Sequence, residues 1–296
     1  MRWPRRARAA APDGRWQRQL RASRRWAFWG VALGALAGTV LAAPAQWLAQ
    51  GLADATGGRL LLAQAEGSLW NGSAVLVLTG GSGSRDASAL PGRLHWTLRP
   101  GWRGLQLQAR QACCLNQPLT LRLAPGWAGY TLALLPAAPA AEAAPATPAG
   151  AVPAPLGQWP AGWLAGLGAP FNTLGLGGTL RAASPGFTLQ TVAGRLQLAG
   201  ALQLELQDAS SRVSPLPVLG SYRLLLQGQA PSGESATLQL QTTDGALLLN
   251  GTGQWTGGRL RFRGAAQAAP GQDAVLANLL NIIGRRQGAV SVISIG

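Results

Sequence analysis

The chain has 296 residues, 47% of them apolar, so it carries enough material for a folded core and is not a disordered tail. Its formal charge of +15 raises the question of nucleic acid, but nine of the 25 basic residues crowd into the first 25 positions, with Asp13 the only acid among them. With 41 Gly and 20 Pro against four Phe and two Tyr, the composition favours many short strands and turns over long helices.

Residues 1–25 read as a basic cytoplasmic tail. From Trp26 to Ala43 follow 18 residues without a charge, and the apolar character continues past Pro44 to Trp47 and Leu48. At about 1.5 Å per residue such a helix covers roughly 27 Å, close to the approximately 30 Å hydrocarbon thickness of a bilayer. Residues 26–48 are therefore predicted to form a single transmembrane anchor. Arg24 and Arg25 flank one end and no base follows before Arg59, which puts the N-terminus in the cytoplasm and the bulk of the chain in the periplasm. Trp26 and Trp29 at one end and Trp47 at the other suit headgroup depth. A core helix and a signal peptide cleaved near Ala43 to Ala45 are the other two readings; the long basic region and Pro44 argue for a retained anchor in the cell inner membrane.

After Leu52 the pattern changes to alternating apolar and polar runs separated by Gly, Asn, Asp and Ser. Strands are expected at 59–65, 73–78, 93–98, 104–109 and 119–123, in a first periplasmic β region over 49–135. Residues 136–160 hold seven prolines among many alanines and one charge, Glu142, and read as an extended, poorly ordered insertion. The second β region, 161–296, opens on a short apolar turn or helix at 163–171. It continues with strands at 178–182, 187–198 with a break near Ala193, 202–207, 221–226, 236–241, 246–250 and 259–263. Residues 272–283 place Val275, Leu276, Leu279, Leu280 and Ile283 at helical spacing, so one amphipathic helix precedes a final strand-like VSVISI. GSLWNG at 67–72 and GQWTGG at 253–258 each follow a Leu triplet, and both are expected to be Gly-flanked turns that set a structural Trp, Trp70 or Trp255, on a neighbouring strand.

Chemistry-bearing residues are sparse. His95 is the only histidine, it lies in a strand-like run, and no nucleophile elbow accompanies it. The acids beyond the anchor are scattered, and GGSGSRD at 80–86 lacks a phosphate-loop pattern, so no catalytic, metal or cofactor site is expected and the chain reads as no enzyme. Cys113 and Cys114 are adjacent and are the only cysteines. In an oxidising compartment they leave three alternatives: a vicinal disulfide, a mixed or intermolecular disulfide, or burial as small apolar groups. The bases near 257–264 and at Arg285 and Arg286 have few aromatics beside them. They read as solvated strand faces or contacts with anionic headgroups, not as a nucleic-acid site.

The order of parts carries a resemblance. The basic tail and span are followed by GSLWNG, ALPGRLHW at 89–96, the Cys pair, PFNTLGLGGTLR at 170–181, LELQDASSRVSPLPVLGSYRL at 204–224 and LANLLNIIGRR at 276–286. In this order the segments resemble the type II secretion system protein N family, also called general secretion pathway protein N, and more distantly AsmA-like proteins. The resemblance implies a mainly β protein: a transmembrane helix, then an elongated, curved antiparallel sheet, then a short C-terminal helix. It implies an inner-membrane part in protein secretion across the outer membrane, with other secretion components as partners. The AsmA likeness adds a second expectation, a periplasmic protein that binds or transfers lipid.

Overall fold

The computed structural model describes residues 14–126, 129–135, 153–192, 195–228, 235–256 and 259–296. The chain divides into two compact units, Met1–Ala43 and Pro44–Gly296.

The first unit contains helix α1 (Gly14–Leu41), 28 residues that begin inside the basic tail. It does not run on to residue 48 as the sequence suggests. Pro44 is extended (φ −73°, ψ 152°) and Ala45–Ala55 forms a separate helix, α2. Proline has no N–H to continue the helical ladder, which explains the break. Among the described residues no helix is long and apolar enough to cross a membrane. The uncharged part of α1 runs only from Trp26 to Leu41, with Arg24 and Arg25 inside the helix. Along that part Phe28, Trp29, Val31, Leu33, Leu36 and Leu41 are between 61% and 74% exposed.

The second unit is built on one 16-stranded antiparallel sheet. Its first half comprises β1 (Leu60–Gly67), β2 (Asn71–Thr79), β3 (Ala87–Ala89), β4 (Leu94–Gly101), β5 (Gly104–Arg110), β6 (Leu119–Gly126), β7 (Gly129–Leu135) and β8 (Ala154–Pro160). The second comprises β9 (Gly177–Val192), β10 (Arg195–Ser210), β11 (Gly220–Gly228), β12 (Ser235–Gly245), β13 (Leu247–Thr256), β14 (Arg259–Ala268), β15 (Arg285–Gln287) and β16 (Val290–Ile295). Strands neighbour one another nearly in chain order from β1 to β14, then β16 and β15, while β3 pairs with β2 and β8 with β9. The amphipathic helix, α4 (Asp273–Ile283), forms as its spacing predicts. The apolar segment after β8 becomes a 3-10 helix (Ala161–Leu167) and a single turn, α3 (Phe171–Leu174).

Two expectations are corrected. The Pro/Ala-rich stretch 136–160 ends in a strand: β8 pairs with Thr179 to Ser184 of β9, and the register slips between Pro155 and Gly157. A bulge and a strand terminus are where a sheet tolerates proline, and Pro155 and Pro160 occupy those places. Residues 136–152 lie outside the described residues. Trp255 is not in a turn but inside β13, opposite Leu260 and Ala236. Only Trp70 occupies a loop, between β1 and β2, where its carbonyl accepts the Leu98 N–H at 2.7 Å.

Residues directly opposite in an antiparallel pair share a face, so the register sorts the side chains. One row of partners reads Leu98, Leu107, Leu121, Leu134, Phe187. Another reads Leu204, Leu224, Leu240, Gly251, Gly264. Helices α2 and α4 both lie on that apolar face. At one end α2 packs over Leu62, Ala74 and Trp96. At the other, Leu276, Leu279 and Leu280 of α4 are 0–2% exposed against Leu247, Ala266 and Tyr222. Aromatic rings fill gaps that glycines leave. A Cβ on Gly72 would come within 2.5 Å of the Trp96 ring, and Phe262 crowds Gly251, Gly253 and Gly264 in the same way.

Candidate functional site

The opposite face of the sheet is polar and basic. The same register puts Arg181, Glu205, Arg223, Gln241 and Asn250 in one row across β9 to β13. Glu205 thus lies between two arginines; it accepts from Arg223 Nε at 3.0 Å and from Gln203 Nε2 at 2.9 Å. Beside it, Arg181, Gln203, Gln158 and Asn116 line a cavity of about 370 Å³. Further along, Gln239, Gln241, Thr252 and Arg263 line another of about 530 Å³. On β14 the exposed residues are Arg259, Arg261 and Arg263.

The cysteine turn lies between β5 and β6. Cys113 and Cys114 are joined as a disulfide with Cα atoms 3.7 Å apart, Cys113 exposed and Cys114 buried. The turn is tied to β8: Gln158 N–H donates to the Cys114 carbonyl at 2.8 Å, and Asn116 N–H donates to the Leu156 carbonyl at 3.2 Å. Gly157 is required at the contact, because a Cβ there would meet the Cys114 carbonyl oxygen. His95 is exposed on the polar face opposite Arg110. No three of the described His, Cys, Asp and Glu residues gather into a metal-binding group.

The residues read as membrane-interface groups fall on two separate helices. Arg24, Arg25, Trp26 and Trp29 lie along α1, whereas Trp47 is on α2 and half exposed. Trp255 stands on the apolar face with its indole Nε1 buried and without a partner among the described residues. What single-strand reading misses is the joint pattern of the two faces. Each strand shows only its own alternation, and the register is what lines the leucines up on one side and the arginines on the other.

The fold defines a class: an open antiparallel sheet protein with one apolar, helix-capped face and one arginine-rich face. The model of the type II secretion system protein N family matches residues 58–293, and the chain belongs to that family. The matched segment takes in every strand but the last residues of β16, so the sheet is the family's domain. Membership implies interaction with other secretion-system components. No curated protein matches the chain, and no solved structure does.

Proposed function

We propose that the protein is a non-enzymatic inner-membrane component of the type II secretion system, anchored by α1 and acting through protein–protein contacts of its sheet in the periplasm. The family match over residues 58–293 carries the secretion assignment. The anchor is supported by the exposed apolar length of α1 and the arginines before it. The contact role is supported by a sheet whose ends are open strands, since an open strand can take up a partner by backbone pairing.

In-cell crosslinking followed by pull-down of the full chain should recover other secretion components, and recovery of none would overturn the reading. Carbonate extraction tests the anchor separately. The full chain should stay with the membrane, and Leu36→Arg, which puts a charge in the middle of the apolar stretch, should release a measurable fraction into the supernatant.

A second reading has one observation in its favour. Between the parts covered by α2 and α4, the leucines of the apolar face, among them Leu121, Leu134, Leu202 and Leu226, are only partly buried. An acyl chain suits such a strip, so the sheet would hold a lipid, as expected for an AsmA-like protein. Native mass spectrometry from mild detergent should then show a bound lipid; repeated lipid-free spectra would remove this reading.

A further inference from the structure

The geometry points to a docking site for an extended, acidic segment of a partner protein at the β14–β16 end of the sheet. The inference rests on the protein-contact reading above and gives that contact its place and chemistry. Two independent observations meet there.

The first is the arginine ladder. Leu260, Phe262 and Gly264 of β14 face the helix side, which leaves Arg259, Arg261 and Arg263 exposed on the other. The ion pairs found among the described residues use other arginines, Arg93 with Glu66 and Arg223 with Glu205. The side chains beside the ladder on that face are Thr252, Gln254 and Thr256 of β13 and Ser294 of β16, none of them acidic. Arg285 lies on the same face, in a row with Ala265 and Val292.

The second is an unfinished edge. β16 pairs with β14 along Val290 to Ile295, but β15 covers only Val290 to Val292 on its other side. Among the described residues Ile293, Ser294 and Ile295 therefore have no strand beyond them, and Ile295 is 53% exposed. A strand added there would lie two strand spacings from β14, about 10 Å. Only the small Ser294 stands opposite Arg263, so a long arginine side chain can reach across to a carboxylate. Side chains on one face of any strand repeat at about 6.7 Å, so acids at alternate positions of the incoming segment match the arginines at alternate positions of β14. A second copy of this chain would set one arginine ladder against another and is disfavoured. A lipid surface could meet the guanidinium groups but offers no backbone to complete the edge.

The test uses the full chain in mild detergent, a fluorescent peptide alternating Asp and Val, and the same peptide with Lys for Asp. The acidic peptide should bind, weaken with added salt, and protect the amides of Ile293 to Ile295 from hydrogen exchange; the Lys peptide should do neither. Arg259→Gln, Arg261→Gln and Arg263→Gln together should weaken binding at least tenfold with the melting curve unchanged. If that variant unfolds, the salt dependence and the exchange footprint on the natural chain decide. Absence of the footprint, equal binding of the two peptides, or undiminished binding by a folded triple variant overturns the proposal. So does ladder-dependent binding to phosphatidylglycerol vesicles that the acidic peptide fails to compete. Loss of peptide protection while crosslinking still recovers secretion components sinks this site and leaves the general reading. A clear footprint with no secretion component recovered does the reverse.

Discussion

Tyr222 is 6% exposed, and its hydroxyl donates to the Leu247 carbonyl at 3.0 Å, joining β11 to the first residue of β13. Tyr222→Phe leaves that carbonyl buried without its partner and should cost about 1–2 kcal/mol, read by urea unfolding. Burial pushes the phenol up from its ordinary value of 10.0. The folded state then holds a proton that the unfolded state gives up near pH 10, so the associated stability is full below that pH. It is lost as pH rises towards the folded value, at about 1.4 kcal/mol per pH unit. The difference between natural and Tyr222→Phe stability should accordingly be flat through neutrality and shrink only in alkali. A pair of tryptophans makes a second contrast. Trp96, 2% exposed, donates Nε1 to the Leu69 carbonyl at 3.1 Å, whereas the buried Nε1 of Trp255 has no partner among the described residues. Trp96→Phe should lose about 1–3 kcal/mol, and Trp255→Phe should be neutral or gain up to about 1 kcal/mol. Equal losses in thermal melts would contradict this account. The sequence motif pairs Trp255 with Trp70; it is the strand pairing that puts Trp96 in β4, with a bonded indole, and Trp255 in β13, without a partner among the described residues.

Among the elements, α4 shows how far periodicity reaches. Its spacing marks Val275, Leu276, Leu279, Leu280 and Ile283; the three leucines vanish against the sheet and Ile283 packs beside them, but Val275 stays 38% exposed. Leu280→Ala should cost about 2–5 kcal/mol by denaturant unfolding, because the site is walled by β-strands that cannot collapse into the gap. Ser291, whose hydroxyl donates to the Leu280 carbonyl at 2.7 Å, fixes the same helix to β16. By contrast α2 and β8 were not legible. The apolar face of α2 continues the composition of α1 without interruption, and Pro44 alone signals the break. In β8 the prolines hide a strand whose pairing comes from distant residues of β9 and the cysteine turn. For that turn the expected outcome is direct: native protein treated with iodoacetamide without reductant should carry no label, and two labels would remove the Cys113–Cys114 disulfide.

For the whole molecule, the alternating runs by themselves determined that the part after residue 52 is β-rich and antiparallel, since a period of two can bury one side of a strand only against a sheet or helix. The charge crowded before residue 26 and the apolar run after it likewise come from sequence alone, and so does the resemblance that the family match bears out. Tertiary structure decided the rest. That the leucines of many strands share one face, that α2 and α4 cover the ends of that face, and that the arginines gather on the other side all depend on register, a relation between segments far apart in the chain. Local pattern fixes which residues of a strand lie on the same side. Only the backbone hydrogen bonds between strands fix which strands are neighbours, and with them the open edge at Ile293 to Ile295 beside the arginines of β14.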